Sequence, residues 1–285
     1  MDCGGHHPKN KNMSDLLKGK RGIIFGALDE RSIAWKVAEE CVKQGAKITL
    51  TNAPVALRFG QLDILGKQLE AEIIPADATN LDDLEKLISR SMEILGGKID
   101  FVLHSIGMSV NIRKNRPYTN LNYDWMQKTY DVSAVSFHKL MQVLYKLDAM
   151  SEWGSILGLT YIAAQRVFPN YSEMAESKSL LESYARSFGY HYGLSKKVRV
   201  NTISQSPTAT TAGSSVEGFN KFYTYSEKMS PLGNATSDAC AEYCAVMFSD
   251  MTRYVTMQNL YHDGGFSSMG LSHAIFDVIC EDEDA

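Results

Sequence analysis

Short apolar runs alternate with longer amphipathic stretches along most of the chain, and few folds accept that rhythm. "RGIIFGA" (21–27) reads as a buried strand ending in a glycine turn, and "SIAWKVAEECVKQGA" after it as a helix with Gly45 near its C-terminal end. The pattern repeats with "KITLTN" (47–52) and "LRFGQLDILGKQLE", then with "EIIPAD" (72–77) and "TNLDDLEKLISRSMEIL", where Thr79 or Asn80 can cap the helix. It continues through strand "IDFVLHS" (99–105), a long helix over about Tyr123–Leu147 and strand "GSILGLT" (154–160). A helix from Tyr171 to about Tyr192, strand "KVRVNTIS" (197–204), helix "TSDACAEYCAVMFS" and a closing strand "QNLYHDGG" (258–265) complete it. Strands short enough to be buried on both faces, with helices between, predict an α/β fold with a doubly wound parallel sheet and right-handed crossovers. No repeat, long linker or low-complexity tract divides the 285 residues, so they read as a single domain.

Composition narrows the function classes. A net charge of −4 gives no electrostatic reason to expect nucleic acid or an anionic membrane as partner. No apolar run approaches the ~20 residues of a spanning helix. "MDCGGHHPKNKN" has no apolar core after its charges, so residues 1–17 read as a flexible tail rather than a secretory signal, with Met13 as an alternative start. Cys3, His6 and His7 could bind a metal in principle, but a solvated tail explains them, and no metal site is assigned. Residues 276–285 read as an acidic solvated tail, leaving the domain over 18–275. The cysteines (Cys3, Cys41, Cys240, Cys244, Cys280) are odd in number and scattered. Cys240 and Cys244 lie one helical turn apart, which core packing explains better than metal ligation. A reducing, cytoplasmic setting is expected.

In open α/β sheets, ligands bind beyond the carboxyl ends of the strands. After the first strand, "GALDERSIA" (26–34) places a turn at Gly26 and then free amides near Ser32 and Ile33, where a helix opens and a pyrophosphate could sit. The spacing is not G-x-G-x-x-G, and a plain glycine turn before a capped helix fits it as well. The second strand ends at Thr51 and Asn52, with neither a carboxylate nor a basic pair. This favours NADH over NADPH, with Arg58 the residue that could reverse the choice. Asp77-Ala78 after the third strand suits either an adenine edge or a helix-capping Asp. Ser105 and Gly107 after the fourth let a backbone approach a flat cofactor closely. His104 sits at the end of an apolar strand and reads as a core histidine rather than a base.

Taken in order, "GALDERSIA", "HSIG", "TYIAAQRVFPNYSEMAESK" and "HDGGFS" resemble the enoyl-acyl-carrier-protein reductases, a divergent branch of the short-chain dehydrogenase/reductase superfamily. The similarity runs from about Lys18 to Gly270. Its most specific element is Tyr161, nine residues, Tyr171, six residues, Lys178. Ordinary members of the superfamily use a tyrosine and a lysine four apart, and four on from Tyr171 stands Ala175.

The resemblance implies a Rossmann-type sheet, a nicotinamide cofactor and reduction of the 2,3 double bond of an enoyl thioester, the step that closes each cycle of bacterial type II fatty-acid elongation. It implies acyl carrier protein as donor and a homotetramer. Tyr161, Tyr171 and Lys178 would be catalytic, with Tyr171 donating a hydrogen bond to the enolate oxygen and Lys178 holding the nicotinamide ribose. Cofactor contacts carry over to Gly26, Ser32, Ile33, Asp77, Ala78, Ser105, Ile106, Gly107, Lys178, Pro207 and Thr210. Tyr161 and Met174 would lie beside the substrate. A substrate-covering loop is expected over about 206–225, with Phe219 and Phe222 as apolar contacts for the acyl chain.

Several positions depart from the family. Lys36 replaces a usual glycine in the first helix, and Glu176-Ser177 a small apolar pair before the lysine. Gln205 and Ser206, in "SQSPTAT", stand where Ala-Gly is usual and could narrow the nicotinamide pocket, and Met257 replaces a glycine. A 3-oxoacyl or other carbonyl reductase and a non-catalytic nucleotide-binding regulator are the other two readings. The missing four-residue spacing counts against the first, and Lys36, Gln205 and Ser206 keep the second.

Overall fold

The computed structural model describes residues 15–58, 60–211, 213 and 218–281. Its strands are β1 (Arg21–Phe25), β2 (Lys47–Thr51), β3 (Glu72–Ile73), β4 (Ile99–His104), β5 (Met150–Thr160), β6 (Arg199–Gln205) and β7 (Asn259–His262). They form one sheet in the order β3-β2-β1-β4-β5-β6-β7, every neighbouring pair parallel. The chain therefore builds outward from β1 in one direction and restarts at β4 in the other. That reversal opens a crevice beside the ends of β1 and β4, where doubly wound folds hold dinucleotides.

The helices are α1 (Ile33–Lys43), α2 (Pro54–Leu57), α3 (Leu62–Gln68), α4 (Leu81–Leu95), α5 (Val110–Arg113), α6 (Tyr123–Tyr130), α7 (Ser136–Lys146), α8 (Met174–Lys196), α9 (Phe219–Met229), α10 (Ser237–Phe248) and α11 (His273–Glu281). Strand alternation decides which residue faces which layer. On β1, Ile24 joins one core with α1, α3 and α10, while Ile23 and Phe25 join the other with α4, α7 and α8. On β4, Phe101 and Leu103 go to the first layer and Val102 to the second. Cys41, Cys240 and Cys244 are buried free thiols in the first layer, as the helical spacing of the last two suggested. Among the described residues no helix is long and apolar enough to cross a membrane.

The departures from the sequence reading have local causes. Strand β3 ends at Ile73, although the Ile74 and Ala76 amides still donate to the Leu50 and Asn52 carbonyls at 2.9 and 3.2 Å; Pro75 between them falls on the open side of this edge strand, where no ladder donor is needed. The expected helix after β2 is divided into α2 and α3 near Gly60, where a Cβ would press within 2.8 Å of Leu28. The long helix over 123–147 contains a π turn at Asp131–Val135. That turn brings buried Ser133 against the loop after β4, where its hydroxyl accepts from the Met108 amide at 3.0 Å. Helix α8 starts at Met174, so Tyr171 lies in the turn before it and not on its face. Helix α9 occupies the end of the expected loop, starting after Gly218 in a left-handed conformation. Leu17, at the end of the expected N-terminal tail, is fully buried, and α11 runs into the expected acidic tail. Cys3, His6, His7 and Met13 lie outside the described residues.

Candidate active site

The parallel register brings the carboxyl ends of the strands level: Phe25 pairs with Thr51 on one side and His104 on the other, and Thr160 with Ser204. Gly26 follows β1 with φ +97, and a Cβ there would sit 2.0 Å from the Ser105 carbonyl oxygen. Only glycine permits that approach. The Ser32 hydroxyl donates to the Asp29 carbonyl at 2.6 Å and accepts from the Leu28 amide at 3.2 Å. It folds the turn and leaves the first amides of α1, from Ile33 on, without a side-chain cap. Asn52 donates to the Ala27 carbonyl at 2.9 Å, tying the β2 end to the same turn, while Arg58 is exposed.

Asp77 accepts from the Thr79 amide and hydroxyl at 2.9 and 2.7 Å, which shapes the turn beside buried Ala78; Asn80 is the residue that caps α4. Ser105, Ile106 and Gly107 follow β4 directly. His104 is buried, its Nε2 2.8 Å from the Ser136 hydroxyl, and burial lowers its pKa to about 3. It is a neutral core residue over the working pH range. Pro207 and Thr210 follow β6, and the Thr210 hydroxyl accepts from the Gly213 amide at 2.9 Å.

Tyr161, just beyond β5, and Tyr171 meet ring to ring, with centroids 5.2 Å apart at 55°. Burial raises both phenol pKa values, so both remain protonated donors at neutral pH. The buried Tyr161 hydroxyl has no hydrogen-bond partner among the described residues. Tyr171 is flanked by Asn170 (φ 66) and Ser172 (φ 49), both left-handed, in a turn that holds its ring off the helix. Lys178, on the second turn of α8, is buried and donates to the Leu159 carbonyl at 2.9 Å. Burial lowers its pKa to about 8, partly opposed by Glu182 one turn along α8. A Cβ at Gly107 would lie 3.9 Å from both the Lys178 Nζ and the Met174 Cε, so these three residues converge.

Phe222 packs edge-on to Tyr161, 6.0 Å between centroids. Phe219, the first residue of α9, is not in this cluster; its ring packs against Tyr223 one turn along, 5.9 Å between centroids. Phe168 and Phe266 take part instead, Phe168 lying 5.4 Å from Tyr161 and 5.0 Å from Phe222. Beside them opens a cavity of about 380 Å³ whose wall includes Ile162, Phe168, Phe222 and Phe266, with Arg166 and Ser267 as its polar members.

An unpartnered buried phenol, a glycine cradle between β1 and β4 and a buried lysine beside Gly107 fit a nicotinamide cofactor with a substrate oxygen next to it. Comparison with known proteins decides the family. The enoyl-(acyl carrier protein) reductase family matches over residues 26–267. The chain belongs to that family. It is similar to the FabI–NADH complex from Alistipes finegoldii, at 59% identity and a TM-score of 0.90, over 91% of this chain and 92% of that one. It is 32% identical to enoyl-acyl-carrier-protein reductase (NADH) 2 of Rhizobium meliloti, over 90% of this chain and 94% of that protein. Against the FabI enzyme of Bacillus subtilis the identity is 29%, over 89% and 98%.

As an enoyl reductase the chain carries compensations for its departures. Lys36 pairs with Glu39 at 3.0 Å along α1. Gln205 donates to the Ala235 carbonyl at 2.9 Å and meets His262 at 2.6 Å, and the Ser206 hydroxyl accepts from the Ala235 amide at 2.9 Å. Both side chains thus anchor the segment before α10. Met257 keeps the left-handed backbone (φ 62) that a glycine would favour, and Gly189 on α8 makes room: a Cβ there would be 2.6 Å from the Met257 Cγ. Glu176 accepts a short hydrogen bond from the Tyr118 phenol, which accounts for a carboxylate before the lysine.

Proposed function

We propose that this protein is an NADH-dependent enoyl thioester reductase that saturates the 2,3 double bond of acyl chains, the last step of the type II fatty-acid elongation cycle. The observation that carries the reading is the paired Tyr161 and Tyr171 phenols beside a cavity with an aromatic wall, with Lys178 buried at the strand ends. Bound NADH supplies the hydride that the β-carbon accepts. The site residues Gly26, Ser32, Ile33, Asp77, Ala78, Ser105, Ile106, Gly107, Pro207 and Thr210 would hold the dinucleotide. Neutral Thr51 and Asn52 at the β2 end support NADH over NADPH.

As the β-carbon accepts hydride, negative charge collects on the thioester oxygen. Tyr171 donates a hydrogen bond to that oxygen and stabilises the transition state more than the ground state. Lys178 strengthens this donor by its charge and orients the nicotinamide ribose. Tyr161 turns its free hydroxyl toward the thioester and keeps water from the reacting carbons. Proton delivery to the α-carbon completes the reduction. Met174 and Phe222 contact the acyl group, Phe168 and Phe266 extend that wall, and Phe219 braces α9. On family precedent the donor is acyl carrier protein, the assembly a homotetramer and the setting the bacterial cytoplasm.

The test is to offer the purified protein crotonyl and 3-oxoacyl thioesters side by side, with NADH and with NADPH. NADH oxidation with the crotonyl substrate is expected. Turnover of the 3-oxoacyl substrate alone, or none with either cofactor, would overturn the reading.

A further inference from the structure

Two residues after Tyr171 stands a carboxylate that the mechanism above does not use. Glu173 is fully buried, as are Asn111 and Thr129. Its Oε1 accepts from the Ser109 hydroxyl at 2.7 Å, from the Asn111 amide at 3.1 Å and from the Thr129 hydroxyl at 2.9 Å, whose one proton is shared with the Trp125 carbonyl, also at 2.9 Å. These donors come from three places. Ser109 caps α5, accepting from the Ile112 amide at 3.0 Å. Asn111 clasps Asn122, accepting from its amide at 3.0 Å and donating to its carbonyl at 3.1 Å. Thr129 belongs to α6. One oxygen therefore joins the segment after Gly107, helix α6 and the entry to α8.

A buried carboxylate is disfavoured unless its charge is answered. Here the hydroxyl and amide donors answer it at Oε1, together with the positive end of the long helix α8, which begins at the next residue, while Oε2 is buried without a partner among the described residues. Burial pushes the Glu173 pKa up, but the hydrogen bonds it accepts outweigh this and hold it below the usual carboxylate range. The turn it anchors is strained, since Asn170 and Ser172, on either side of Tyr171, are both left-handed without being glycine; its own backbone bonds are Tyr171 N–H to the Phe168 carbonyl and Ala175 N–H to the Ser172 carbonyl, each 3.2 Å.

We propose that Glu173 is a positioning residue: its buried carboxylate locks the strained turn that presents Tyr171 onto the segment after β4, fixing the Tyr171 phenol relative to the reacting thioester. This deepens, and rests on, the reading of the chain as an enoyl reductase. Glu173 touches neither cofactor nor substrate, so it acts on rate through Tyr171 and not on cofactor affinity.

The experiment is a set of variants assayed with NADH and crotonyl thioester. Glu173→Ala should lower kcat about a hundredfold by letting the phenol move, with KM for NADH changed less than about twofold. Glu173→Gln keeps an acceptor oxygen in place and should recover most of the loss. In a Tyr171→Phe background Glu173→Ala should cost less than about twofold more, because there is no donor left to misplace. Equal losses in both backgrounds, or a wild-type kcat in folded Glu173→Ala, would overturn the proposal. If Glu173→Ala does not fold, Ser109→Ala and Thr129→Val each remove one donor. Each should lower kcat in the Tyr171 background and not in the Tyr171→Phe background, and unchanged rates in both would overturn it. A wild-type protein that reduces no enoyl thioester would overturn the functional reading and this inference together; an active wild type insensitive to Glu173 overturns the inference alone.

Discussion

The rings of Tyr161 and Tyr171 lie 5.2 Å apart, and the Tyr161 hydroxyl is buried without a hydrogen-bond partner among the described residues. An unpaired buried hydroxyl costs about 1–3 kcal/mol, so a fold selected for stability alone would favour phenylalanine there. A substrate oxygen would answer the hydroxyl.

Tyr161→Phe should therefore stabilise the free protein by about 1 kcal/mol, raising Tm by about 2 °C. The same change should lower kcat for crotonyl thioester about tenfold through looser substrate orientation. Melting curves and initial rates check both. A lower Tm with full activity would mean the hydroxyl has a protein partner and no role toward substrate.

Lys178 sets an alkaline limit. Burial lowers its pKa to about 8, so it is charged below that pH and neutral above it. Its charge supports the Tyr171 donor, so kcat/KM should fall as pH rises through about 8. Buried His104, with a pKa near 3, adds no limb in the neutral range. In the ternary complex the anionic cofactor favours the ammonium, so the limb in kcat should move to higher pH. A kcat/KM profile flat to pH 10 would remove the lysine's charge from the mechanism.

Gly26→Ala tests the cradle. The new Cβ would need φ +97 and would sit 2.0 Å from the Ser105 carbonyl oxygen, both backbone constraints. The left-handed strain alone is about 1–3 kcal/mol. Fluorescence titration should show NADH affinity down more than about tenfold as the β1 and β4 turns part, alongside a lower Tm. Unchanged affinity would show that the cofactor does not use this approach.

The aromatic wall predicts chain-length dependence. Phe222 and Phe168 line the cavity beside Tyr161, and each methylene that an acyl chain buries there contributes about 0.8 kcal/mol. Phe222→Ala should lower kcat/KM for a dodecenoyl thioester about tenfold relative to crotonyl. Phe219→Ala, whose ring packs on Tyr223, should leave that ratio alone. Equal effects on both substrates would place the chain elsewhere.

The sheet was legible because its strands are short apolar runs buried on both faces, and the order of Tyr161, Tyr171 and Lys178 was legible as a spacing. What those residues do locally was not. Tyr171 and Lys178, seven apart, suggest two turns of one helix, yet Asn170 and Ser172 take left-handed conformations, which asparagine tolerates and serine rarely adopts, and α8 begins only at Met174. Glu173 reads as an ordinary helix-entry acid, since its three donors come from residues 44 to 64 positions away. Phe168 and Phe266 lacked a periodic signal because they come from turns. Phe219 and Phe222 looked equivalent in a polar loop, and only the folding of α9 separates them. The Gly189–Met257 exchange is a contact between distant segments, invisible in either one alone.

The most direct measurement is single-turnover reduction of crotonyl thioester by Tyr171→Phe loaded with NADH. Removing one donor to a developing oxyanion typically costs about 3 kcal/mol, so the hydride-transfer rate should fall about a hundredfold or more while NADH affinity stays at the wild-type value. A wild-type transfer rate in Tyr171→Phe would contradict the account at its centre.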